Sequence, residues 1–240
     1  NPDEIWPAAA RRGTPSVRRI GLQDLRGALR EGLTDFAANR TDVAFLCLIY
    51  PVIGLVAARL AGHHLLPLLF PLAAGFALVG PLAAIGLYEI SRRREQRKDP
   101  TWIDALSVVR SPAIGSIAYL GVVLVAIYTL WLLAANAIYR ETLGPELPLS
   151  FMGFVHDVTT TEAGWTMIAI GIGVGFIFAV VVLAISVVSF PVLLDRNVGV
   201  GTAIATSLRA VAANPGPMLA WGFLVTAGLV LGTIPFFLGL

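Results

Sequence analysis

The sequence predicts an all-α, polytopic membrane protein, and three observations predict it. Of its 240 residues, 57% are hydrophobic and only 13% charged, with a mean hydropathy of +0.80, whereas a soluble domain carries about 25% charge. Apolar runs close to the ~20 residues that a bilayer core requires recur along the chain. The 17 lysines and arginines fall in blocks between those runs rather than at random. About five transmembrane helices are expected in this chain, joined by amphipathic interfacial helices that form a weak internal repeat.

Residues 1–19 are rich in Pro and Arg and should not fold alone; residues 20–240 form one helical membrane domain. An amphipathic helix is expected over 20–39, with Leu22, Leu25, Leu29, Leu33 and Phe36 as its apolar stripe. Crossings follow over 43–60 and 65–87, and the basic segment 88–98 stops transfer. A shorter amphipathic piece covers 101–110, and a third crossing covers 113–137. The outer loop 139–164 is acidic, carrying Glu141, Glu146, Asp157 and Glu162 against one arginine. The fourth crossing, 165–194, is longer than a straight span needs.

A third amphipathic helix, 200–213, sits between this crossing and a fifth at 217–240. Val200, Ile204, Leu208 and Val211 line one of its faces, and Thr202, Thr206 and Arg209 the opposite one. Thr202 is placed to cap its start, and Asn214 with Pro215 to end it. Such a helix lies flat on a bilayer surface. Its end, LRAVAAN (208–214), matches LTDFAAN (33–39) in spacing and type, which is the basis of the repeat. Asn1 is not an initiator methionine and the chain stops within an apolar run. The natural protein is therefore expected to extend further at both ends and to hold a sixth helix.

Positive charge orients the chain. The N-terminus, the 88–112 loop and the 195–216 loop are expected on the cytoplasmic side. The 61–64 turn and the 139–164 loop face the other side. No cleaved signal peptide is expected.

Chemistry has few places to live. Gly171, Gly175 and Ala179 make a small-xxx-small face, which suits close helix packing better than a nucleotide loop, because no strand precedes them. His63, His64 and His156, with Asp157 and Glu162, are the candidate metal ligands. Adjacent histidines rarely point at one ion and no i, i+4 pair exists, so solvated loop-end histidines account for them better. No histidine lies inside a predicted crossing, so paired intramembrane imidazoles cannot hold haem here. The predicted crossings also lack Asp, Glu, Lys and Arg apart from Arg59, which counts against ion-coupled transport. Asn136, Ser186 and Ser189 are assigned to helix–helix hydrogen bonds. One cysteine, Cys47, excludes an internal disulfide. No cofactor is expected, nor a nucleic-acid partner. The cytoplasmic arginines, Arg26, Arg30, Arg92, Arg93, Arg94 and Arg209, are the candidate contacts for anionic lipid or an acidic partner surface.

Three stretches, GPLAAIGLYEISRRREQ (80–96), WIDAL (102–106) and VLLDRNVGVGTAIATSLRAVAANPGPM (192–218), together resemble a family of uncharacterised bacterial integral membrane proteins. Some of its members are labelled cytochrome c oxidase subunits, and they look like six-helix proteins. The resemblance implies no catalytic residue, and the oxidase label implies at most an accessory subunit. The expected function is thus a non-enzymatic accessory or scaffold subunit. Its partners would be other membrane subunits of a respiratory or photosynthetic complex. A passive channel or small-solute or lipid transporter is the alternative.

Overall fold

Helices are the only regular elements among the described residues of this computed structural model, which are 15–38, 84–96, 108, 111–144, 148, 150–196 and 198–237. In chain order they are α1 (Leu22–Ala38), α2 (Ile85–Glu95), α3 (Ile114–Thr142), α4 (Phe151–Thr160), α5 (Glu162–Ser186), α6 (Ser189–Asp195), α7 (Val200–Ala213) and α8 (Pro215–Phe237). The expected crossings 43–60 and 65–87 and the expected surface helix 101–110 lie outside the described residues, apart from 84–87 and Val108.

Two helical stretches are long and apolar enough to cross a membrane by length and composition, Ile114–Thr142 and Glu162–Asp195. At 1.5 Å per residue, the 29 residues of α3 reach about 43 Å, more than the ~30 Å hydrocarbon core. Gly144 lies just past the end of α3 with φ +97°, a left-handed conformation that an L side chain rarely adopts. α8 falls on the expected 217–240 segment and holds 23 residues without a charged side chain.

The described residues divide into two compact units. The first contains α1, α2, the start of α3 and the chain from Leu183 onward. Its centre is the packing of α6 against α7, with α2 touching α6, and α1 touching α2 and α8. Phe190, Leu193, Ser189 and Ser207 are fully buried there. The second contains α3 from Gly121, then α4, and α5 as far as Val182.

The apolar run expected as one span over 165–194 is broken. A turn at 187–188 separates α5 from α6. Two local features explain it. Pro191 has no N–H to continue the ladder and is tolerated because it stands in the first turn of α6. The N–H of Val188 donates instead to Ser207 Oγ on α7, at 3.2 Å. The Ser189 hydroxyl donates to the Ile185 carbonyl, across the turn from α6 back to the last turn of α5.

The segment 139–164, expected as an outer loop, also contains structure that its composition did not announce. α4 starts at Ser150, whose Oγ accepts from the Gly153 N–H at 3.1 Å. Thr161 then links α4 to α5, donating to the Asp157 carbonyl at 2.6 Å and accepting from the Gly164 N–H at 2.9 Å. The corner is so tight that a Cβ on Gly164 would sit 2.4 Å from the carbonyl oxygens of both Asp157 and Val158.

Candidate functional site at the arginine-bearing helices

The start of α7 differs from the expected cap. Gly199, not Thr202, is the N-cap and provides no side-chain bond, because the helix begins two residues before Thr202. Asn214 does end the helix, and Pro215 opens α8 directly.

The faces of α7 pack in an unexpected sense. Ala203, Thr206, Ser207 and Ala210 are its buried residues. Thr206 therefore does not face water from the polar side of a flat helix; small side chains on this face let α6 approach closely. Leu208, on the apolar stripe, is 45% exposed, and Val200, Ile204 and Val211 are only partly covered. α1 behaves alike: Leu25 is buried, but Leu22, Leu29 and Leu33 are exposed, Leu33 by 61%.

Asn214 is buried and uses its whole amide. Its Oδ1 accepts from the Ile20 N–H at 2.8 Å, and its Nδ2 donates to the carbonyls of Arg18 at 3.1 Å and Ala210 at 3.0 Å. This grip holds the non-helical residues 15–20, a strap ahead of α1. Under the strap lies an open cavity of about 480 Å³, walled by α6, α7 and Met218 of α8.

The six arginines expected to contact lipid or a partner fall into two sets. Arg92, Arg93 and Arg94 are committed inside the chain. Glu89, 3% exposed, accepts from Arg92 Nε at 2.8 Å and Nη2 at 2.9 Å, and from Arg93 Nε at 2.8 Å. Arg94 pairs with Asp35 at 2.8 Å and donates to the Thr34 carbonyl at 3.1 Å, tying α2 to the end of α1. Burial raises the Glu89 carboxyl, but the hydrogen bonds and charges of Arg92 and Arg93 outweigh it and hold the group below its ordinary value. Arg26, Arg30 and Arg209 are exposed, and Arg209 donates to the Ala205 carbonyl of its own helix at 3.1 Å.

Two arginines at the cavity were not singled out as contacts from the sequence. Arg18 reaches Asp24 only at 3.8 Å, and Arg196 reaches Asp195 only at 3.8 Å, too long for hydrogen bonds. Their signal in the sequence was weak, because arginines beside a helix look like topology markers.

Of the small-residue face on α5, Gly175 alone meets a described neighbour. A Cβ there would lie 3.0 Å from the Trp131 ring, which also stacks at a tilt on Phe178 with centroids 5.7 Å apart. A Cβ at Gly171 meets nothing within 4 Å among the described residues, and Ala179 is exposed. The close approach is thus ring to backbone at one glycine. His63 and His64 lie outside the described residues, and His156 is exposed on α4. Among the described residues no three His, Cys, Asp or Glu side chains converge on a metal-sized site.

Residues 69–195, just over half of the chain, match the family described as a predicted integral membrane protein (DUF2189). No curated protein and no solved structure matches the chain. Two membrane-length apolar helices, outward apolar faces on the shorter ones and this match agree: the chain belongs to the DUF2189 family of integral membrane proteins.

Proposed function

We propose that the protein is a non-catalytic accessory subunit, multi-pass in a bacterial cytoplasmic membrane, that packs against a larger electron-transport complex. One observation carries this reading: α7 turns Ala203, Thr206, Ser207 and Ala210 inward and leaves Leu208 exposed, while Leu22, Leu29 and Leu33 of α1 are exposed although Leu25 is buried. Leu22, Leu29, Leu33 and Leu208 stay 41–62% exposed, so further burial of these side chains is available to lipid or a partner subunit. The exposed flank of α5, with Ile172, Phe176 and Ile177, extends the same kind of surface. Block-wise arginines support a cytoplasmic N-terminus. The resemblance to proteins labelled as oxidase subunits supports the electron-transport setting.

The test is native electrophoresis of mildly solubilised membranes, with haem absorbance read along the lane. Co-migration of the chain with a haem-bearing complex, lost in Leu29→Gln/Leu33→Gln, is expected. Migration as a lone chain without haem would sink the reading.

A further inference from the structure

We propose that the cavity beneath the strap binds one phospholipid of the adjacent leaflet, holding its anionic headgroup between Arg18 and Arg196. The inference is independent of any partner complex. Its walls are apolar: Val17 and Ile20 come from the strap, Val188 and Val192 from the α6 side, and Met218 from α8. A volume of about 480 Å³ lies within the ~300–1,000 Å³ of small-ligand sites. It is too apolar to suit a bare inorganic ion, which would leave those walls against water.

Charge selects the headgroup. Among the residues lining the cavity, Arg18 and Arg196 stand against the single carboxylate of Asp195, so the lining carries net positive charge, and the Arg18 side chain is 83% exposed at its mouth. Arg92, Arg93 and Arg94 have carboxylates at 2.8–2.9 Å, whereas Arg18 and Arg196 have theirs at 3.8 Å. The guanidiniums of Arg18 and Arg196 therefore keep donors for phosphate oxygens, which they can grip in a bidentate fork. The strap itself is fastened by Asn214, not by the arginines, so a headgroup can engage them while the cavity stays formed.

The experiment uses the full chain in phosphatidylcholine nanodiscs doped with phosphatidylglycerol, with retained lipid read by native mass spectrometry. Retention of one phosphatidylglycerol per chain is expected. It should fall about tenfold or more in Arg18→Gln/Arg196→Gln and stay unchanged in Arg140→Gln, an exposed arginine at the end of α3. Val192→Trp, which fills the cavity and keeps both arginines, should also release the lipid. Excess inorganic phosphate should not displace it. Equal retention by the Arg18/Arg196 and Val192 variants, equal retention of phosphatidylcholine, or displacement by phosphate would each overturn the proposal.

Discussion

Asn214, at the break between α7 and α8, accepts a hydrogen bond from the Ile20 backbone N–H at 2.8 Å, across 194 residues of sequence. The same amide donates to Arg18 and Ala210, so a single buried side chain joins a helix end to the strap before α1. Asn214→Ala leaves those backbone groups without their partner, at about 1–3 kcal/mol. Tryptic cleavage after Arg18 and Arg19 should accelerate, while cleavage after Arg140 stays unchanged. Unaltered cleavage at all three positions would contradict the role given to Asn214.

Glu89 links stability to acid. Its folded-state value is lowered, so the unfolded chain takes up the proton first as pH falls. The stability it contributes is fully present above the unfolded value of about 4.3. It is lost as pH drops from there through the folded value. Glu89→Gln should lower the thermal midpoint at neutral pH and flatten its dependence on pH in that acid window. Parallel profiles for the two proteins would show that Glu89 is not the linked group.

Gly164 stands where no Cβ fits, 2.4 Å from two backbone oxygens. Gly164→Ala must move the α4–α5 corner and should cost about 1–3 kcal/mol as a backbone overpacking. Thermal unfolding in detergent measures it, with Gly173→Ala as a control that meets nothing within 4 Å among the described residues.

Gly175 and Trp131 make a local probe of the α3–α5 contact. Gly175→Leu should displace the Trp131 ring, shift tryptophan emission and destabilise by about 1–3 kcal/mol. Gly171→Leu should do neither. Equal effects at both positions would restore the small-residue face as a single packing surface.

What the sequence made legible was the level set by composition and period. Apolar length announced α3 and α5, and Asn214 with Pro215 announced the α7–α8 break. Packing sense was less readable. The 3.6-residue period of α7 shows two faces but not which one turns inward, because surrounding lipid removes the apolar side's preference for the core. Ser207 buried opposite Leu208 exposed is the result. Long-range partners were not legible either. Nothing near Arg94 names Asp35, 59 positions away, and nothing near Asn214 names Ile20. The break before α6 depends on Ser207, which lies 19 residues beyond Val188. Pro191 alone marked the place.

Outward apolar stripes on α1 and α7 are the claim on which the rest stands, and spin labels read them most directly. Cysteines replace Leu29, Leu33 and Leu208 in turn, with Cys47 changed to Ala, in the native membrane. The account predicts that each label is relaxed by oxygen or immobilised by protein contact, and is shielded from a water-soluble nickel chelate. Strong relaxation by the chelate at all three positions would place these stripes in water and contradict it.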